Sequence, residues 1–408
     1  MDDILFLAHR IPYPPNRGDK IRSWNILKRL GTLARVHLAC FADDAADAAH
    51  LEGLRAAMGG SLGEAHVEAR SASRIAAMAS AIGSGAPVSL PLFASRSMQR
   101  FVDQVLRTKN IGTVFAFSGQ MAQFVPHGLE QRFVMDFVDI DSAKFAAYAG
   151  THIGPLSWVH AREAAKLSAF ERATAARADL SLFVSQAEAD LFRARAGLPD
   201  ADIRALHNGV DLDYYSPKAD FPRLPAPNGP LIVFTGQMDY GPNIAAVSDF
   251  ARHALPLIRL VRPDAAFAIV GRNPAPQVLR LGKRPGVTVT GPVEDVRGWL
   301  AAADVVVAPL LIARGIQNKV LEAMAMGRSV VASPGAFEGI EAEPGRDLLV
   351  SPTGAAMAAP VLELLDHPAR AAAMGAAARK CIEEVYPWEV KLMPLREMVA
   401  SFPRKAAA

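Results

Sequence analysis

Short apolar runs alternate along most of the chain with longer stretches in which apolar residues recur every three or four positions. This pattern is typical of βα units whose parallel strands are buried on both faces. In the first half, strands are predicted at 4–8, 36–41, 113–117, 133–137 and 180–184. In the second half, they are predicted at 231–235, 266–270, 287–290, 305–308, 329–332 and 348–350. The pattern therefore predicts an α/β fold.

A proline-rich stretch at 216–230 interrupts this pattern and is interpreted as a linker. A chain of 408 residues also exceeds what one hydrophobic core usually supports. We predict an N-terminal domain at 1–215, a C-terminal domain at 231–385, and a C-terminal helix at 386–408 that packs back on the N-terminal domain. Two Rossmann-like domains of this kind bind ligands at the carboxyl ends of their strands, across a cleft.

Charge and cysteine content narrow the class of protein. The 44 basic and 41 acidic residues leave a net charge of +3, too weak a field to indicate nucleic acid as a partner. Cys40 and Cys381 show no metal or redox spacing, which fits a reducing compartment. The first ten residues carry acidic side chains where a signal peptide needs basic ones. We therefore expect a cytoplasmic protein.

The stretch 75–95 contains no charged residue and raises the question of a membrane segment. Gly83, Gly85, Pro87 and Pro91 interrupt it, and its many alanines and serines make it only weakly apolar. A helix at 73–82 followed by a loop is the preferred prediction. An interfacial patch that touches a membrane surface is the alternative.

Glu322 lies within a predicted helix that is otherwise apolar, where a carboxylate is rarely placed without a partner. Its two oxygens could hold the two hydroxyls of a ribose. The start of the same helix would present free backbone N–H groups to a phosphate, and consists of Gln317, Asn318 and Lys319. An ion pair between Glu322 and Arg328 is the structural alternative.

Several longer strings carry a family resemblance. They are LHNGVDLDYYSP at 206–217, which follows the strand-like stretch 203–206, HRIPYPPNRGDKIRSWNILK at 9–28, DFVDIDSAKFAAYA at 136–149 and ARGIQNKVLEAMAMG at 313–327. Together they resemble the family 4 glycosyltransferases of GT-B fold over nearly the whole chain. Within that family they are similar to the sugar transferases associated with exosortase and PEP-CTERM exopolysaccharide systems.

The resemblance implies two Rossmann-like domains and a hexosyltransferase activity. A sugar would move from a nucleotide diphosphate-sugar donor to a saccharide or lipid-linked acceptor, with retention at the anomeric carbon. It also implies no cofactor and no metal, and it permits peripheral association with the inner face of the membrane.

The loop after the first strand is implied to close over the donor phosphates and the acceptor. The resemblance gives this role to Arg17, Gly18, Asp19 and Lys20, whereas a solvated turn is the alternative. His9 directly follows the strand and is the best-placed histidine for the cleft, although a structural histidine is equally common there. No GxGxxG follows this strand, so a hydride-transfer enzyme loses its main support.

The second domain departs from the family pattern after its first strand. The chain has Gly236 followed by Gln237 and Pro242, where many family members carry an arginine and a lysine for the diphosphate. The position of a second family glutamate, eight residues before Glu322, is held by Arg314. The remaining candidate cations for the leaving diphosphate are Arg272, Arg314 and Lys319. We assign Arg314 and Lys319 to catalysis.

Asp139 and Asp141 form a DxD that resembles the metal-binding motif of GT-A enzymes. Because the surrounding pattern indicates GT-B, we predict an acceptor-side role, with Asp139 assigned to catalysis. A helix N-cap at Asp141 or Ser142 is the alternative. Two other functions stay open: a nucleotide-sugar 2-epimerase-like isomerase, and a catalytically silent sugar-nucleotide-binding partner in a polysaccharide assembly complex.

Overall fold

Two parallel β-sheets form the framework of the chain in a computed structural model, which describes residues 2–70, 85–151, 154–225, 228–311 and 316–400. The first compact unit contains Met1–His207 and the C-terminal segment from Leu392, and the second contains Asn208–Lys391. The chain thus enters the second unit before the predicted boundary at 215. The proline-rich stretch 216–230 belongs to that unit instead of forming a separate linker.

Local hydrogen bonds explain this difference. The Val210 amide donates to the Tyr386 carbonyl at 2.8 Å, and Val210 forms an isolated parallel bridge with Pro387. Proline removes a backbone donor but does not prevent packing, so the prolines mark an irregular path of the chain and not its independence.

The sheet of the first unit has the strand order β3-β2-β1-β4-β5-β6-β7 in the described residues, with every pair parallel. Its strands are β1 Asp3–Ala8, β2 Val36–Ala42, β3 Leu62–Ala69, β4 Ile111–Phe117, β5 Arg132–Val138, β6 Leu180–Phe183 and β7 Ile203–Ala205. Its helices are α1 Gly18–Gly31, α2 Ala45–Ala48, α3 Leu51–Met58, α4 Arg96–Thr108, α5 Asp141–Thr151, α6 Pro155–Arg177 and α7 Gln186–Ala196.

The sheet of the second unit has the order β10-β9-β8-β11-β12-β13, again parallel. Its strands are β8 Leu231–Thr235, β9 Ala266–Val270, β10 Val287–Gly291, β11 Val305–Ala308, β12 Val330–Ala332 and β13 Leu349–Val350. The helices are α8 Gly241–Asp249, α9 Leu255–Val261, α10 Pro276–Leu281, α11 Arg297–Ala302, α12 Asn318–Ala325, α13 Pro334–Phe337, α14 Ala358–Asp366, α15 Pro368–Val385 and α16 Trp388–Lys391. The last helix of the chain, α17 Leu395–Met398, lies in the segment that returns to the first unit.

All eleven predicted strands are present, each within two residues of its predicted ends. The sequence pattern missed β3, because Leu62–Ala69 carries Glu and His at alternate positions and is mostly half-buried at the sheet edge. Helix α1 begins at Gly18, earlier than predicted, so Gly18, Asp19 and Lys20 form its first turn. The helix predicted at 73–82 lies outside the described residues. In the part of the chain that is described, no helix is both long and apolar enough to cross a bilayer.

Candidate functional site

Helix α12 carries most of the predicted donor-side residues in the second unit. Gln317 is its N-cap, and the Val320 amide donates back to the Gln317 carbonyl at 2.9 Å. The Oδ1 atom of Asn318 is buried and has no hydrogen-bond partner among the described residues. The other predicted cation, Arg314, lies outside the described residues.

Lys319 points at the loop that follows β8. Its Nζ donates to Asn243 Oδ1 at 2.6 Å and lies 4.3 Å from the centroid of the Phe234 ring. Asn243 in turn donates through Nδ2 to the Gln237 carbonyl at 2.9 Å. Burial lowers the pKa of the Lys319 ammonium to about 7, although the charge of Glu322 opposes this shift. The predicted cation is therefore desolvated and has a neutral amide as its partner.

Two glycines allow the loops after β8 and β9 to approach each other. A Cβ at Gly271, which has φ of 154°, would lie 1.7 Å from the Gly236 carbonyl oxygen. A Cβ at Gly236 would lie 2.8 Å from Asn243 Nδ2 and 3.1 Å from Lys319 Nζ. A side chain at Gly236 would thus displace the lysine. The glycine leaves space beside the lysine that a ligand can use.

Gln237 and Arg272 complete this edge of the sheet. Both side chains are exposed, and the Met238 amide donates to the Arg272 carbonyl at 2.9 Å. The structure thus brings Gly236, Gln237, Arg272 and Lys319 to loops at the carboxyl end of the second sheet, where open α/β sheets bind ligands.

Glu322 lies one helical turn after Lys319 on the same face of α12. Burial raises the pKa of its carboxyl above the usual range, while the Tyr215 hydroxyl and the Lys319 charge act in the opposite direction. Arg328 donates to the Ala303 carbonyl at 3.2 Å. The alternative prediction of a Glu322–Arg328 ion pair is therefore wrong.

The segment that contains Tyr215 is held against α12 by Arg379 of α15. The guanidinium donates to the Ala325 carbonyl at 2.7 Å and also to the carbonyl of Tyr215. Sequence analysis missed Asn243, Tyr215 and Arg379 as parts of this site. The Tyr-Tyr pair at 214–215 was the one available signal, because a tyrosine in a loop often brings a hydroxyl to a buried polar group.

The predicted phosphate loop of the first unit forms an ion-pair cluster, which we call the N-terminal cluster: His9, Arg10, Arg17, Asp19, Asp43 and Arg70. Arg17 donates to Asp19 at 2.8 Å and to Asp43 at 3.0 Å. Arg10 contacts the same two carboxylates at 2.6 and 2.9 Å, and Arg70 also pairs with Asp43. The charge of Arg17 is thus already compensated by two carboxylates, which the prediction of a free phosphate-binding cation did not include.

Lys20 is even less available, because it is 3% exposed and its Nζ pairs with Asp47. This pairing contradicts the prediction that the Lys20 amino group is placed to meet a phosphate. Gly18 has open space around its Cα, so the structure gives no close-packing reason for a glycine there.

His9 and Asp19 are coupled within the N-terminal cluster. The Nε2 atom of His9 lies 3.2 Å from Asp19 Oδ2, and its ring stacks on Phe117 with centroids 5.8 Å apart. Burial lowers the pKa of His9 below its usual value, although Asp19 favours the charged form. Burial alone would raise the pKa of Asp19, but His9, Arg10 and Arg17 hold it well below its usual range. Asp19 is therefore a permanent carboxylate that orients His9.

Asp139 and Asp141 follow β5 at a point of backbone strain. Val138 has φ of 70°, an unfavourable value for a β-branched residue, and Ser118 at the end of the neighbouring β4 has φ of 76°. A small cavity of about 10 Å³, large enough for about one water molecule, lies between these loops. Its polar lining consists of Gly119, Gln120, Asp139, Asp141 and Glu171.

Glu171 of α6 is the residue that sequence analysis missed in this group. Its carboxyl accepts from the Ser142 amide at 2.9 Å, and burial raises its pKa to about 7. Asp141 accepts from Lys144 at 3.0 Å and from Gln120 at 3.3 Å. The first turn of α5 is thus capped by a carboxylate from another helix and not by the side chain of Asp141. Within the described ranges, no group of three His, Cys, Asp or Glu residues is arranged to hold a metal ion.

Comparisons with known proteins agree with this arrangement. Residues 229–367, which include Asn243, Lys319 and Glu322, match the family described as "Glycosyl transferases group 1". Residues 138–214, which include Asp139 and Glu171, match "Glycosyltransferase Family 4". The chain therefore contains glycosyltransferase domains of these two types.

Two curated relatives narrow the comparison. One is the GDP-mannose-dependent monoacylated alpha-(1-6)-phosphatidylinositol monomannoside mannosyltransferase of Corynebacterium glutamicum, 31% identical over 248 residues that cover 55% of this chain and 63% of the relative. The other is the GDP-mannose-dependent alpha-(1-6)-phosphatidylinositol monomannoside mannosyltransferase of Mycolicibacterium smegmatis, 30% identical over 243 residues that cover 55% and 62%. The chain thus matches less than two thirds of the length of either relative.

Solved structures extend the likeness to nearly the whole chain. HepE of Anabaena in complex with UDP and glucose has a TM-score of 0.66 at 17% identity, covering 98% of this chain and all of HepE. WaaG, a glycosyltransferase involved in lipopolysaccharide biosynthesis, has a TM-score of 0.64 at 16% identity, with coverage of 98% and 100%. At these identities the likeness establishes the fold, and the predicted GT-B fold is confirmed.

Proposed function

We propose that the protein is a glycosyltransferase that moves a sugar from a nucleotide diphosphate-sugar donor to a saccharide or lipid-linked acceptor. The observation that carries this proposal is the placement of Lys319 and Glu322 on one face of α12, beside the Gly236 loop. A cation for a diphosphate and a carboxylate for a ribose are then one helical turn apart, which suits the two polar parts of a nucleoside diphosphate.

The chemistry assigned to this site is stabilisation of the leaving diphosphate. When the bond to the sugar breaks, negative charge grows on the diphosphate, and a fixed ammonium in a desolvated site stabilises it more strongly than water does. Helix α12 adds its backbone N–H groups at Asn318 and Lys319. Arg314 is proposed to contribute a second cation, and Arg272 reaches the same edge of the sheet. No metal is required in this scheme.

The acceptor is assigned to the first unit. Asp139 and Asp141 offer carboxylate oxygens next to a polar cavity, where they suit the hydroxyl groups of a sugar. Asp139 is proposed to accept the proton or hydrogen bond of the attacking hydroxyl, while Asp141 and His9 bind the acceptor beside it. Retention at the anomeric carbon follows from the family resemblance and is part of the proposal.

The donor sugar and the cellular role are proposed from the relatives. Both mannosyltransferases are named as GDP-mannose-dependent and as acting on phosphatidylinositol mannosides, so GDP-mannose is the first donor to test and a lipid-linked saccharide the first acceptor. Trp158 of α6 is 69% exposed, which suits contact with a membrane surface. We propose a cytoplasmic enzyme at the inner face of the membrane, acting in exopolysaccharide synthesis of the PEP-CTERM type.

A catalytically silent sugar-nucleotide-binding partner is the second candidate. It is favoured by the N-terminal cluster, in which Arg17 and Lys20 are already paired with carboxylates.

One experiment separates these functions. The purified protein is screened by thermal shift against GDP, UDP and their sugars, because a ligand that binds only the folded state raises the melting temperature. Each stabilising donor is then incubated with a lipid-linked saccharide, and nucleoside diphosphate release is measured. Release that depends on the acceptor supports the transferase, and binding without release supports the silent partner. Conversion of the donor sugar without an acceptor identifies an isomerase, and binding of no nucleotide contradicts the proposal.

A further inference from the structure

Asn243 lies between the candidate diphosphate cation and the loop after β8, and nothing in the comparisons assigns it a role. It is 6% exposed and belongs to the first turn of α8. Its amide makes two bonds in opposite directions: Oδ1 accepts from Lys319 Nζ at 2.6 Å, and Nδ2 donates to the Gln237 carbonyl at 2.9 Å. Asn243 thus joins a side chain 76 positions away to the backbone of its own loop.

The surroundings of Lys319 show why such a link matters. One N–H of the amino group is used by Asn243, and the Phe234 ring lies 4.3 Å away on β8. No other acceptor for this amino group occurs among the described residues. The charged group that acts on it is Glu322 of the same helix. A lysine stem carries four rotatable bonds, so without the amide the amino group would lose its fixed position beside Gly236.

A neutral partner has a second consequence. Had a carboxylate occupied the place of Asn243, it would hold Lys319 in its charged form and compensate that charge before any ligand arrived. An amide fixes the position of the amino group and leaves its charge for the ligand. This difference separates Lys319 from Lys20, which is paired with Asp47 in the first unit.

We infer that Asn243 is a positioning residue, which holds the Lys319 amino group beside the Gly236 loop so that a bound diphosphate receives its charge. The inference rests on the proposed function. Because Lys319 is desolvated and has a pKa of about 7, the bound diphosphate would also draw a proton onto it. The proton comes from the buffer and forms an ammonium from the neutral amine. Nucleotide binding should therefore take up roughly 0.8 proton at pH 8.

The test is a double-mutant cycle on nucleotide affinity, with Asn243→Ala, Lys319→Met and the double variant. UDP and GDP are titrated by calorimetry at pH 8 in two buffers of different ionisation enthalpy, which gives both the dissociation constant and the proton uptake. We expect Asn243→Ala to weaken binding about tenfold in the wild-type background and less than about twofold in the Lys319→Met background. Wild-type proton uptake should be absent from Lys319→Met.

Two further variants exclude a merely structural role. Asn243→Asp keeps an acceptor for Lys319 but cannot donate to the Gln237 carbonyl, and it should charge Lys319 before binding and abolish proton uptake. Asn273→Gly is the matched control: Asn273 lies in the neighbouring loop after β9 with φ of 56°, and glycine retains that backbone conformation. It should bind nucleotide and take up protons like the wild type.

Three results would overturn the inference. Equal effects of Asn243→Ala in both backgrounds, unchanged proton uptake in Asn243→Asp, or the same losses in Asn273→Gly would each show that Asn243 does not act through Lys319. If the wild-type protein binds neither UDP nor GDP, the proposed function is wrong and the inference falls with it.

Discussion

The N-terminal cluster and the surroundings of Lys319 differ in how their cations are compensated. In the cluster, Arg10 and Arg17 each contact two carboxylates, and the buried Lys20 has its own. In the second unit, Lys319 has a neutral amide and an aromatic ring as its contacts. The number of basic residues in a loop therefore says little about anion binding. The available charge lies where burial has removed water and no carboxylate has replaced it.

Glu322 gives the largest expected effect among the tests of this comparison. Glu322→Gln should weaken binding of the preferred nucleoside diphosphate by about 10- to 100-fold, because the ribose loses a charge-assisted pair. The loss should vanish for the 2′,3′-dideoxy nucleotide, which lacks the hydroxyls. Calorimetric titration of both ligands measures this, with Glu389→Gln, an exposed glutamate on α16, as the control. Equal losses for the two ligands would make Glu322 a structural residue.

Lys319 should also carry a cost in stability. Its pKa is about 7 in the folded chain, well below the value of 10.5 for an ordinary lysine, so the fold disfavours the charged form. Below pH 7 the group is charged in both states and the folded protein bears the full burial cost. Lys319→Met should thus be more stable than the wild type by about 1–3 kcal/mol at pH 6.

This advantage of Lys319→Met should shrink as the pH rises from 7 towards 10, where the wild-type lysine becomes neutral in both states. Urea unfolding across this range measures it, with the exposed Lys380→Met as the control. A Lys319→Met variant less stable than the wild type at pH 6 would mean that the lysine stabilises the fold.

Glu171 predicts the opposite pH dependence in the first unit. Its pKa is raised to about 7 by burial, so above pH 7 the folded protein bears the cost of a buried carboxylate. Glu171→Gln keeps the acceptor for the Ser142 amide and should stabilise the protein by about 1–2 kcal/mol at pH 8, but not at pH 4.5. Urea unfolding at both values, with the exposed Glu130→Gln as control, measures this. Equal stabilisation at the two pH values would contradict the raised pKa.

Chelation should give the smallest effect. If Lys319 and the start of α12 stabilise the leaving diphosphate, turnover should be unchanged within about twofold after exhaustive EDTA treatment. Asp139→Asn should not create a metal requirement. Activity lost on chelation and restored by Mn²⁺ or Mg²⁺ would return Asp139 and Asp141 to a metal site.

The strands and the helix that carries Glu322 could be predicted because both depend on local patterns. Continuous apolar runs predict buried parallel strands, and a lone glutamate among apolar helical residues indicates a site. The partners of the charged residues could not be read in the same way, because they come from distant positions. Asn243 meets Lys319 across 76 residues, and nothing local to either position predicts that contact.

The pairing in the N-terminal cluster did leave a signal in the sequence. Asp43 and Asp47 follow β2, whereas Arg17 and Lys20 follow β1, and these two strands are neighbours in the sheet. An acidic loop and a basic loop at the carboxyl ends of adjacent parallel strands meet at the same edge. The strain at Val138 and Ser118 had no such signal, since neither residue type favours a positive φ.

The central claim is that the cation available for the diphosphate is Lys319 and not Arg17. The most direct test is calorimetric titration of UDP and GDP into the wild type, Lys319→Met and Arg17→Gln, with circular dichroism to confirm folding. The account predicts at least about tenfold weaker binding for Lys319→Met and less than about threefold for Arg17→Gln. Strong weakening in Arg17→Gln together with near-normal binding in Lys319→Met would contradict it and return the diphosphate to the loop after β1.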